Sequence, residues 1–86
     1  MPIAYVLINS DLGTDVSIIA KIKEILTGRD YFQYQIQGVY GVYDIIIKLC
    51  SASSDVLRSI ITNNIRKINN IQSTLTMTVI EKEEGS

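Results

Sequence analysis

The seven residues GVYGVYD, Gly38 to Asp44, hold two glycines three apart, two tyrosines three apart and one carboxylate set directly before Ile45, Ile46 and Ile47. Gly38 and Gly41 permit close backbone approach and positive φ, so the successive amides around Val39 to Val42 can line an anion-binding concavity. Tyr40 and Tyr43 each offer a ring edge and a hydroxyl. Asp44 can accept hydrogen bonds from a cationic group, or it can pin the turn by bonding local amides. In a hairpin, glycines serve the turn first, so the stretch carries both a structural and a ligand-binding reading.

Other chemistry is thinly supplied. The chain has no histidine and one cysteine, which removes the commonest general base and metal ligand and excludes an internal disulfide. Cys50, inside an apolar strand end, reads as a small buried hydrophobe. No two carboxylates share a neighbourhood suited to acid–base work. No catalytic residue, metal site or cofactor is therefore expected.

Eight basic residues against nine acidic ones leave a net charge of -1, too little positive charge to neutralise many phosphates, so direct nucleic-acid binding is not expected. No apolar run approaches about 20 residues, and the N-terminus lacks the charged-then-apolar order of a leader. This predicts a cytoplasmic protein without a membrane partner.

The elements that must position these residues follow from periodicity. Ile3 to Asn9 is an apolar, β-favouring run without a polar face, as in a strand covered on both sides. DLGTD breaks it. Val16, Ile19, Ile22 and Leu26 then recur at helical spacing, with Thr14 or Asp15 as cap and Gly28 as the end. Phe32, Tyr34 and Ile36 alternate with Gln33, Gln35 and Gln37 in a second strand. The β-branched run after Asp44 is a third strand, and its three isoleucines again predict two covered faces. SASSD caps a second amphipathic helix built on Val56, Leu57, Ile60, Ile61, Ile65 and Ile68, which runs out at Asn69 and Asn70. The last strand sets Ser73, Leu75, Met77 and Val79 on one face and Gln72, Thr74, Thr76 and Thr78 on the other.

Strand, helix, strand, strand, helix, strand is the α+β ferredoxin-like βαββαβ order: a four-stranded antiparallel sheet with both helices on one face, an α/β sandwich. Residues 1–82 form this single domain and residues 83–86 a solvated tail. A chain of 86 residues buries only about 60% of its unfolded surface. A hydrophobic content of 47% is rich for that size, so the bare sheet face is expected to be covered by a second copy in a homodimer.

GVYGVYDIIIKL, followed about 25 residues later by IRKINNIQSTLTMTVIEK, resembles the effector-binding C-terminal (RAM) domain of the Lrp/AsnC transcription regulators. The resemblance covers about Ile3 to Lys82. It implies an amino-acid-binding sensor whose dimers close into an octamer, with the effector amino acid held between dimers. It also implies a ligand-binding set: the match carries to Tyr40, Gly41, Asp44, Gln72, Thr74 and Thr76, and Gly38, Tyr43 and Ser73 adjoin it. Full-length regulators carry a helix-turn-helix region ahead of this domain, so the chain resembles a stand-alone form that could partner such regulators without itself touching DNA. Two alternatives stand beside it. One is a small dimeric ferredoxin-like enzyme of the monooxygenase type, and the other is a purely structural oligomerisation partner.

Overall fold

The computed structural model describes residues 2–28 and 32–79. The expected tail at 83–86 lies outside the described residues.

The chain runs β1 (Ile3–Ser10), α1 (Asp15–Leu26), β2 (Phe32–Gly38), β3 (Ile45–Ser51), α2 (Ser54–Asn63), a 3-10 turn (Ile65–Lys67) and β4 (Ile71–Thr78). The strands form one antiparallel sheet in the order β2-β3-β1-β4. This is the expected ferredoxin-like α+β fold.

Alternation along each strand decides what is buried. On one face, Ala4, Val6 and Ile8 of β1 and Ile45, Ile47 and Leu49 of β3 pack with Ile18, Ile22 and Leu26 of α1 and with Leu57, Ile60 and Ile61 of α2. Removing this much aliphatic surface from water is what holds the small domain together, at roughly 25 cal/mol per Å². The buried stripe of α1 lies one row away from Val16, which stands 74% exposed. In a 3.6-residue helix, Val16 points away from a stripe centred on Ile18 and Ile22.

The other sheet face carries no covering element within the described part of the single chain, as the expected placement of both helices on one face requires. Ile3, Tyr5, Leu7, Ile46, Lys48 and Cys50 are all half-buried, because no element of the described chain packs over them. In β4 the apolar residues point to this bare side: Leu75 and Met77 pair with Leu7 and Tyr5 and remain 44% and 48% exposed. Thr74, Thr76 and Thr78 take the helix-bearing side opposite Ile8, Val6 and Ala4.

Both helix boundaries have local causes. Thr14 is the N-cap residue of α1 but makes no side-chain cap bond, since its hydroxyl donates to the Asp11 carbonyl instead. Ser53 does cap α2, accepting from the Val56 amide at 3.4 Å. The α-helix stops at Asn63, earlier than Asn69 and Asn70, and tightens into the 3-10 turn that buries Ile65. Asn70 then takes φ of 75° to turn the chain into β4. Asparagine tolerates this left-handed geometry better than most residues.

Candidate functional site

Three segments meet at one end of the sheet: the loop after β1, the loop between β2 and β3, and the entry to β4. The Asp44 amide donates to the Ile8 carbonyl at 2.9 Å, and the Val39 amide donates to the Asp44 carbonyl at 2.8 Å. The Asp11 amide donates to the Asn70 carbonyl at 2.8 Å. Asn9 Nδ2 donates to Ser73 Oγ at 3.2 Å. The last residues of β1 therefore join the hairpin on one side to β4 on the other.

Asp44 stands at the centre of this junction. Its Oδ2 accepts from the Ser10 amide at 2.9 Å and from the Ser10 hydroxyl at 3.3 Å. Oδ1 has no hydrogen-bond partner among the described residues. The turn-pinning role is thus directly visible, and it still leaves one carboxylate oxygen for another donor.

A cleft of about 360 Å³ opens beside it. Gly38, Val39, Tyr40 and Asp44 form one wall, and Ser10, Asp11, Leu12, Gly13 and Asp15 form the other. Three carboxylates line this space, and the only ion pair among the described residues is Lys21–Glu24 on α1. A cleft with three unpaired carboxylates suits a ligand carrying an ammonium group. The hairpin tip supplies the opposite need. The amides of Tyr40, Gly41, Val42 and Tyr43 have no backbone partner among the described residues, so they can donate to a ligand carboxylate; the Val39 amide, already given to Asp44, cannot.

The expected residues are distributed unevenly. Gly38, Tyr40 and Asp44 line the cleft. Gly41 has φ of 140° with open space around it, and Tyr43 is half-buried in the same loop. Gly38 has no positive φ: it ends β2 as a regular strand residue paired with Ile45. Gln72 and Ser73 begin β4 on the far side of β1, with Ser73 bonded to Asn9. Thr74 and Thr76 lie on the helix-bearing face opposite Ile8 and Val6, so within one chain the β4 residues do not line the Asp44 cleft. The wall from Ser10 to Asp15 was missed because DLGTD reads as a generic turn. Its one usable signal is Leu12, a large apolar residue between two aspartates.

Tyr40, Leu12, Val42 and Val16 at this end are the most exposed large apolar residues described. Among the described residues no cluster of metal-binding side chains occurs, and no helix is long and apolar enough to cross a membrane.

The crystal structure of FFRP-DM1 is 30% identical to this chain, covers 93% of it and 100% of its own length, and superposes with a TM-score of 0.75. This chain belongs to the Lrp/AsnC family. Hypothetical protein PHS023 from Pyrococcus horikoshii is also 30% identical, over 95% of this chain and 93% of that one, with a TM-score of 0.73. Escherichia coli AsnC is 27% identical over 99% of this chain, which spans 54% of the AsnC structure at a TM-score of 0.73. The chain matches no family model and no curated protein sequence. Two more distant structures share the fold alone. One is the regulator NMB0573 of Neisseria meningitidis in complex with L-methionine, 7% identical over 99% of this chain and 53% of that one, TM-score 0.68. The other is a Chloroflexus aurantiacus protein suggested to be an antibiotic biosynthesis monooxygenase, 11% identical over 98% of each chain, TM-score 0.61. As an Lrp/AsnC-type domain, the chain presents its glycine–tyrosine–aspartate loop as one wall of an acidic cleft.

Proposed function

We propose that this chain is a non-enzymatic, amino-acid-responsive module that binds a small amino acid at the Asp44 cleft and modulates Lrp/AsnC-type transcription regulators in the cytoplasm. The carrying observation is the cleft itself: Asp11, Asp15 and Asp44 line it without a cation among the described residues. The ligand ammonium is held by Asp44 Oδ1, and its carboxylate takes the free amides of the hairpin tip. Gln72, Ser73, Thr74 and Thr76 reach the ligand from a neighbouring dimer, which is why one chain does not unite the set.

Assembly follows from the same surfaces. The bare sheet face carrying Leu7, Leu75 and Met77 packs on a second copy. The exposed tip carrying Leu12, Tyr40 and Val42 then joins dimers into a ring of eight. A ligand held at that seam favours the assembly that completes its site, by linkage. The L-methionine held by a protein of the same fold supports an amino acid as the ligand class.

A second reading, a purely structural oligomerisation partner, draws on the bond from Ser10 to Asp44, which gives the carboxylate a use without any ligand. Thermal unfolding against the twenty amino acids separates the two. Selective stabilisation by one or a few amino acids supports the sensor, and no shift with any of them supports the structural partner.

A further inference from the structure

The helix-bearing face of the sheet is filled by apolar side chains except beside the edge strand β4. Ala4 and Val6 of β1 are 2% and 0% exposed, whereas their β4 partners Thr78 and Thr76 are exposed. Helix α2 packs chiefly on β3 and β1. Between α2 and β4 this leaves a slot of about 180 Å³.

Its lining differs in kind from the Asp44 cleft. Buried Ala4, Leu57 and Ile61 make an apolar floor. Arg58 and Arg66 stand at its edge, both exposed. Hydroxyls from Ser54, Thr62, Thr76 and Thr78 complete it. Among the described residues no carboxylate lines the slot and neither guanidinium is ion-paired.

The guanidinium fork matches the geometry of a carboxylate, and the floor offers apolar contact to a short carbon chain. Nothing in the described lining can neutralise an ammonium, so a free amino acid would leave its charge unpaired there, at a cost in affinity. The volume falls below the roughly 300 Å³ at which pockets accept drug-sized molecules. We propose that this slot is a second ligand site, selective for a short aliphatic carboxylate that lacks an amino group, such as a branched 2-oxo acid. Arg58 and Arg66 hold the carboxylate, the threonine hydroxyls donate to a 2-oxo oxygen, and the alkyl end rests on Ala4 and Leu57. The site shares Thr76 with the residues assigned above to the amino acid and otherwise stands apart from the Asp44 cleft.

The test is calorimetric titration of the full chain with 4-methyl-2-oxopentanoate and, separately, with inorganic phosphate. Saturable binding of the oxo acid is expected, weakened roughly tenfold or more when both arginines are replaced, Arg58→Gln with Arg66→Gln. Asp44→Asn should leave it unchanged, which separates this site from the amino-acid site. Both arginines are exposed, so the double variant should keep the parent melting temperature. Thr78→Val, at a slot position outside the amino-acid set, should weaken the oxo acid without altering the fold. The proposal is overturned by absence of saturable binding, by equal affinity in the double arginine variant, or by phosphate binding as tightly with the same arginine dependence, which would show simple charge attraction.

Discussion

The amide and the hydroxyl of Ser10 both donate to the same oxygen of Asp44, at 2.9 and 3.3 Å, across 34 residues of sequence. This one contact closes the open end of the β1–β3 ladder just beyond the Ile8–Ile45 pair. It also fixes the direction in which the rest of the carboxylate faces the cleft.

Asp44→Ala removes the acceptor and leaves a part-buried amide without a partner, which costs about 1 to 3 kcal/mol. For a domain this size each kcal/mol lowers Tm by roughly 4–8 °C. Asp44→Asn keeps an oxygen for the Ser10 amide and should lose less than half as much. Scanning calorimetry of both variants without ligand checks the order.

Asn70 is the one described non-glycine residue with positive φ, and its carbonyl accepts from the Asp11 amide. Asn70→Gly should therefore be close to neutral. Asn70→Val places a β-branched side chain in left-handed geometry and should cost about 1 to 2 kcal/mol. Urea unfolding midpoints of the two variants measure the difference.

Leu75 pairs with Leu7 on the bare sheet face and is 44% exposed in the single chain. Leu75→Glu should leave the fold intact while burying a charge in any sheet-to-sheet dimer. Light scattering should then report a smaller assembly than the parent, with unchanged far-ultraviolet circular dichroism. A parent that already runs as a monomer of 9.6 kDa would contradict the dimer.

Much of the fold was legible because burial imposes a period. The glutamines of β2 alternate with Tyr34 and Ile36 as read, and the helix stripes contain Ile22, Leu26, Leu57, Ile60 and Ile61 as expected. Period marks β1 and β3 as apolar on both faces, and the element order assigns one face to the helices and leaves the other bare in the single chain. In the single chain, Leu7 and Ile46 wait half-exposed. The cleft was half legible. Asp44 and Tyr40 stand out as residue types in an unusual order, whereas Asp11 sits in a stretch that sequence marks merely as a turn and Asp15 reads only as the start of a helix. Gly38 misled, because glycine composition suggests conformational freedom that a paired strand end does not use.

The central claim is that Asp44 receives the ammonium of a bound amino acid. Titration calorimetry of the parent and of Asp44→Asn, each with the amino acid that stabilises the parent most, tests it directly. Losing one partner of a buried charge pair should weaken binding by about 2 to 4 kcal/mol, or roughly 30- to 700-fold. Equal affinities in the two proteins would contradict the account and leave Asp44 as the anchor of Ser10 alone.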